Sequence, residues 1–208
     1  MPNLPNDLQL ALIRHGESQF NRDGTGGFDS PLTDLGIDQA RRLGPWLAAN
    51  LPITALYSST LIRARQTAEL IAPQIHLPIQ FDAALCEADF DIGESLRQFP
   101  NPSSAIDGQA FTLDQMTPAY IDFQSRMVNA FRTIVCAHDS GTIAVVTHGG
   151  VIATFLRTIF GAHQVSVYAD NTSVLLLRWM NQRWYLVYSN CIEHLRQSQM
   201  TKKISVDA

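Results

Sequence analysis

The chain has 208 residues, 46% of them hydrophobic and 16% charged, with 15 Lys plus Arg against 19 Asp plus Glu for a net charge of −4. That length fits a single domain spanning 1–208, at roughly 150 residues per domain as a prior. The composition excludes a disordered chain, and the acidic balance excludes a general nucleic-acid binder. Three widely spaced cysteines make neither a disulfide framework nor a zinc motif. The first residues, MPNLPNDLQLALIRHG, lack the basic start and apolar core of a signal peptide. No apolar run approaches the roughly 20 residues needed to span a bilayer. The expectation is a cytoplasmic protein with no membrane and no nucleic-acid partner. Oligomeric state leaves no mark in the sequence.

Leu8 to Ile13 is a short apolar run ending at a glycine turn, the pattern of a buried strand. Thr33 to Asn50 reads as a helix capped by Thr33 or Asp34. Its apolar face is Ile37, Ala40, Leu43 and Leu47, and Pro45 should kink or shorten it. Ile53 to Tyr57 is a second strand. Ser58 and Ser59 are the expected caps of a helix through Ile71, and Ile79 to Phe81 is a short third strand. From Glu87 to Pro118 the periodicity breaks down around Pro100, Pro102 and Gly108, and a loop this long inside a compact domain is usually functional or mobile. Pro118 to Ala137 is helical, Thr142 to Thr147 a β-branched strand, and Gly149 to Phe160 a helix. Ser173 to Trp179 and Trp184 to Tyr188 form a hairpin through Asn181-Gln182. Residues 198–208 are expected to be a frayed tail. The alternation predicts an α/β fold: a three-layer α/β/α sandwich on a mostly parallel sheet, with an antiparallel strand near the C-terminus.

Ligands of such sheets bind at the carboxyl ends of the strands, and two histidines fall there. LIRHGESQFN puts Arg14, His15 and Gly16 at the first strand end, with Asn21 just after. A neutral imidazole is a nucleophile towards phosphorus, and a guanidinium is a planar fork of donors matched to phosphate oxygens. An isolated Arg-His pair is more often ordinary surface. SSTLIRARQTAEL puts Arg63 and Arg65 in the first turns of a helix whose entry offers backbone N–H groups to an anion. A cation near a helix N-terminus is unfavourable unless an anion joins it. Arg65 reads as a solvated helix face. VVTHGGVIATFL puts His148 and Gly149 between a strand and a helix, where an imidazole and an amide can donate to a phosphate. Alone, His148 would read as a hydrogen-bonded core residue.

Together these blocks resemble the histidine phosphatase superfamily, also called phosphoglycerate-mutase-like. LIRHGESQFN is similar to its Arg-His-Gly signature, SSTLIRARQTAE to its second arginine block, LCEADFDIGES to its acidic block and VVTHGGVI to its second-histidine block. NTSVLLLRW and NCIEHL resemble its C-terminal hairpin and tail, so the likeness runs from about Leu10 to Leu195. The resemblance implies a phosphatase with His15 as nucleophile, forming a phosphohistidine. It implies Arg14, Arg63 and His148 as the phosphoryl clamp, Asn21 and Gly149 as further phosphate contacts, and Glu87 as general acid and then base. It implies that the irregular segment, about 95–118, forms part of a lid over the site, and it implies no metal and no cofactor. Asp89, Asp91 and Glu94 are rival acids on residue type. The acidic block lacks the tryptophan frequent in the phosphatase branch, and the loop after Asn21 is short. Both departures fall near the substrate mouth.

The expected activity is metal-independent hydrolysis of small phosphate monoesters. The alternatives are a cofactor-dependent phosphoglycerate mutase, whose longer acidic block and downstream insertion are missing here, and a non-catalytic phosphate-binding module. A metallohydrolase built on His15, His148 and Glu87 ranks last, because two arginines would repel a cation.

Overall fold

A computed structural model describes residues 7–106 and 116–195. Strands β1 (Leu8–Arg14), β2 (Ile53–Ser58), β3 (Ile79–Phe81), β4 (Gly141–Thr147), β5 (Val174–Met180) and β6 (Arg183–Cys191) form one sheet in the order β3-β2-β4-β1-β5-β6. β5 alone runs opposite to the other five strands, pairing antiparallel with both β1 and β6. The helices are α1 (Gln19–Asp23), α2 (Asp34–Asn50), α3 (Ile62–Ile75), α4 (Pro102–Ile106), α5 (Pro118–Cys136) and α6 (Gly149–Phe160), with a 3-10 turn at Ala83–Leu85.

The two faces of the sheet bury different residues because side chains alternate along a strand. Leu8, Leu10 and Leu12 of β1 join Ile143 and Val145 under Phe123, Met127 and Phe131 of α5 and Val151 and Phe155 of α6. Ala11 and Ile13 join Ala144 and Val146 against Leu43 and Leu47 of α2 and Ala64, Ala68 and Ile71 of α3. This is the three-layer sandwich expected from the sequence. The hairpin is also where it was expected: Asn181 and Gln182 take φ of 50° and 60°, the left-handed pair that a two-residue turn requires. Among the described residues no helix is long and apolar enough to cross a membrane.

Three local expectations change. Pro45 does not shorten α2, which continues to Asn50 with Leu43, Gly44 and Leu47 buried against its neighbours. Packing on both sides of the proline outweighs one lost backbone hydrogen bond. Ser58 and Ser59 do not cap α3. It begins at Ile62, and the Ile62 N–H donates to the Asp29 carboxylate at 2.6 Å. A carboxylate from a distant loop therefore occupies the N-terminal donor that the sequence offered to a ligand. In the segment expected as a lid, 95–101 is irregular and α4 follows, while 107–115 lies outside the described residues, as does the tail at 198–208.

Gly16 and Gly36 let the turn after β1 lie directly on the first turn of α2. A Cβ on Gly36 would be driven into the Glu17 carbonyl, and one on Gly16 into the Gly36 carbonyl. Backbone on both sides leaves no room for relaxation. Gly36→Ala is expected to lower stability by about 3 kcal/mol, the upper end of an overpacking cost. A denaturant midpoint shows it, and an unchanged midpoint would contradict this packing.

Candidate active site

Strand register brings the two histidines together. β1 and β4 pair in parallel, with Arg14 level with Thr147. The next residues, His15 and His148, therefore emerge side by side, and the His15 N–H donates to the Thr147 carbonyl at 3.0 Å. Their ring centroids are 5.1 Å apart. They are separated by more than a hundred residues in sequence, and one hydrogen-bonded ladder joins them.

A cavity of about 300 Å³ opens at this strand end, lined by Arg14, His15, Asn21, Arg63, Glu87 and Gly149 among others. His148 is fully buried behind the His15 ring. All seven residues singled out from the sequence thus gather at one place. A groove of about 870 Å³ lies elsewhere, between Trp46 and Leu51 on one side and Tyr188 and Cys191 on the other. It is larger, but no histidine or arginine lines it.

The hydrogen bonds fix the protonation pattern of His15. Its Nδ1 lies 2.7 Å from the Gly16 carbonyl, which can only accept, so Nδ1 carries the proton. Nε2 is left with its lone pair, which accepts from Arg63 Nε at 3.0 Å. Burial first, then the charges of Arg14 and Arg63, hold the His15 pKa well below the ordinary histidine value. His148 is pushed down in the same direction by burial, then by His15 and the arginines. Its Nε2 is 2.8 Å from Ser59 Oγ, while Nδ1 is buried without a partner among the described residues. The unfolded chain takes up protons on both histidines below about pH 6.5, and the folded chain resists them. Their contribution to stability is therefore lost as pH falls through that value.

The two arginines are held by carbonyls. Arg14 Nη1 donates to Ala169 O at 2.6 Å, and Arg63 Nη1 to Phe28 O at 2.5 Å. Arg14 Nε is buried with no partner among the described residues. A buried donor left unpaired costs free energy, and an anion in the cavity would satisfy it. Asn21 Oδ1 already accepts from Ser18 and from Asn171 Nδ2. The Asn21 NH₂ is then the group it has to offer an anion.

Among the described residues Glu87 is the one acid that lines the cavity. Asp89, Asp91 and Glu94 are exposed, and none lines it. Burial raises the Glu87 pKa. Hydrogen bonds from the Gly150 and Ala88 N–H groups and the charges of Arg63 and Arg14 oppose that without cancelling it. Gly150 is needed here, because a Cβ would collide with Glu87 Oε1. Arg65, read as solvated, is exposed and pairs with Glu69 at 3.2 Å.

Several supporting residues escaped the sequence reading. Ser59 bonds His148, Asn171 Nδ2 donates to the His15 carbonyl at 3.0 Å, and Thr67 Oγ1 accepts from the Gly16 N–H. Val167, Tyr168 and Ala169 line the cavity from the α6–β5 connection. These contacts join distant positions, and no local pattern announces them.

The model of the histidine phosphatase superfamily (branch 1) matches residues 10–192. The chain belongs to that superfamily. It is 28% identical over 192 residues to the probable phosphoglycerate mutase GpmB of Proteus mirabilis, covering 85% of this chain and 87% of that one. Bacillus stearothermophilus YhfR is 30% identical, with a TM-score of 0.68 over 90% of this chain and 98% of its own. A phosphoserine phosphatase from Entamoeba histolytica, solved with phosphoserine, superposes with a TM-score of 0.70 at 24% identity over 91% of this chain and all of its own length. That last likeness is one of fold. The mixed six-stranded sheet is the superfamily's fold.

Proposed function

We propose that this superfamily enzyme is a metal-independent phosphomonoesterase acting through a phosphohistidine on small phosphate esters. The observation that carries the reading is the orientation of His15: its lone pair is on Nε2, where it meets Arg63, and His15 lines the cavity together with Arg14 and Arg63. A phosphoryl group entering the cavity takes the Arg63 Nε donor onto its own oxygens and uncovers Nε2. Arg14 Nε and the Gly149 N–H are further donors for those oxygens. His148 stands directly behind His15 in the same cluster, with its Nε2 2.8 Å from Ser59 Oγ. Charge on the transferring group spreads over its equatorial oxygens, so fixed donors do most of the work.

In the first step His15 Nε2 forms the N–P bond as the P–O bond breaks, and protonated Glu87 gives its proton to the departing alkoxide. In the second, Glu87 carboxylate takes a proton from water as the water oxygen attacks phosphorus. Inorganic phosphate leaves, and His15 regains its lone pair. The same carboxyl serves both steps because burial favours its protonated form while the Gly150 and Ala88 N–H groups and the two arginines favour the carboxylate. Lid closure by 95–118 is part of the proposal; none of its described residues lines the cavity.

The test is phosphate release from a panel of monoesters with EDTA present. Release supports the reading. A second reading, phosphoglycerate mutase, is favoured by the name of the Proteus mirabilis relative. It requires phosphoryl transfer between glycerate hydroxyls with little release, and that result would overturn hydrolysis.

The pH profile follows from two opposite shifts. His15 must be neutral, and its lowered pKa keeps it so well below pH 6.5. Glu87 must be protonated for the first step, and its raised pKa extends that form above the usual carboxylate range. The kcat/KM maximum is therefore expected on the acid side of neutrality, falling as Glu87 ionises. Glu87→Gln should flatten that falling limb. A rate rising from pH 7 to 9 would contradict the assignment.

A further inference from the structure

We infer that the site takes phosphate monoesters whose alcohol portion is uncharged and carries an aromatic or extended apolar face. The inference rests on the phosphatase reading and names the substrate class for it.

The first argument is the supply of cations. Among the described residues Arg14 and Arg63 are the only charged donors lining the cavity; Arg63 Nε is on His15, and Arg14 Nε is buried without a partner. The segment 95–118 contains one cation, Arg97, which stacks on the Phe99 ring at 5.0 Å and does not line the cavity. A carboxylate or second phosphate on the alcohol portion would have to be desolvated without a partner, which is costly. Asp170, bonded to Tyr168 at the mouth, adds repulsion.

The second argument is what lines the rest of the mouth. Phe20 and Tyr168 both line the cavity, yet their side chains are 52% and 53% exposed. Val167 lines it as well. Single exposed apolar residues are ordinary, but two aromatic rings meeting at one catalytic cavity are not scattered surface.

Third, the backbone that carries Phe20 and the hydroxyl of Tyr168 are both anchored. Phe20 sits on α1, which is closed by a capping box between Ser18 and Asn21, and its N–H donates to Ser30 Oγ at 3.2 Å. The Tyr168 hydroxyl is tied to the Asp170 carboxylate. Asp170 is fixed in turn: its N–H donates to Asn190 Oδ1 at 2.6 Å, and Asn190 Nδ2 donates to Asp170 Oδ2 at 2.9 Å. With its hydroxyl engaged, Tyr168 offers a ligand its ring. A preformed apolar mouth binds without the cost of ordering side chains.

Three substrates of similar leaving-group basicity separate the possibilities: ethyl phosphate, 3-phenylpropyl phosphate and 3-phosphoglycerate. The expected result is a kcat/KM for the phenylpropyl ester about 10- to 50-fold above that for the ethyl ester, carried mainly by KM, the worth of partly burying one ring. 3-Phosphoglycerate should be the poorest of the three. Phe20→Ala and Tyr168→Ala should each lower the phenylpropyl-to-ethyl ratio several-fold. Tyr185→Ala, exposed on β6 and away from the cavity, should leave the ratio as it is. A wild-type ratio near one, or a preference for 3-phosphoglycerate, with turnover present, would overturn the substrate class and leave the phosphatase reading standing. A folded protein that turns over no ester at all would overturn the phosphatase reading, and the substrate class with it. The wild-type ratio decides the matter even where a variant fails to fold.

Discussion

His15→Ala is expected to lower turnover of every phosphate monoester by about 10⁴- to 10⁶-fold, the scale of losing a covalent nucleophile. The loss should be in kcat and should not depend on the alcohol. Folding should survive, because the strand end is held by backbone: the His15 N–H donates to Thr147 O, and the Thr172 N–H to Arg14 O at 3.0 Å. The substitution does strip Arg63 Nε of its acceptor, so a modest fall in melting temperature is expected alongside. Steady-state rates and a thermal melt measure both. Near-normal kcat in a folded His15→Ala protein would end the phosphohistidine mechanism.

Glu87→Gln should cost an alkyl phosphate about 10²- to 10⁴-fold, the usual worth of a general acid. Gln keeps the shape and one acceptor for the Gly150 N–H, but it has no proton to give. A nitrophenyl phosphate, whose leaving group needs little protonation, should lose far less in the phosphorylation step. Asp89→Asn and Glu94→Gln serve as controls, since both side chains are exposed and off the cavity. Glu87 also activates water in the second step, so a pre-steady-state burst must accompany the steady-state rates to show which step has slowed. A leaving-group-dependent loss in Asp89→Asn, with none in Glu87→Gln, would move the acid by two residues.

The layers were legible because each strand and helix carries its own periodicity. β1 and β4 are short apolar runs that stop at a histidine, and α6 begins at the Gly149-Gly150 pair. Arg63 is told from Arg65 by the resemblance of SSTLIRARQTAE to the superfamily's arginine block; two residues turn a helix by about 200°, and in the structure one lines the cavity at 6% exposure while the other faces water. The start of α3 was misread because its cap, Asp29, comes from 33 residues upstream in the chain. Ser59 has the composition of a cap, yet it spends its hydroxyl on His148 and the Leu61 N–H. Asn171, which anchors the His15 carbonyl and Asn21, and the Tyr168–Asp170–Asn190 chain are likewise long-range. Local pattern shows which residues sit at the strand ends. It does not show which partners orient them.

The most direct measurement is to quench the enzyme during turnover of a ³²P-labelled monoester and assay the protein for bound phosphate. The expected result is label approaching one per chain, stable to base and lost in acid, mapping to the peptide that contains His15 and missing from His15→Ala. Turnover without any such label under burst conditions, or label that resists acid and maps elsewhere, would contradict the mechanism.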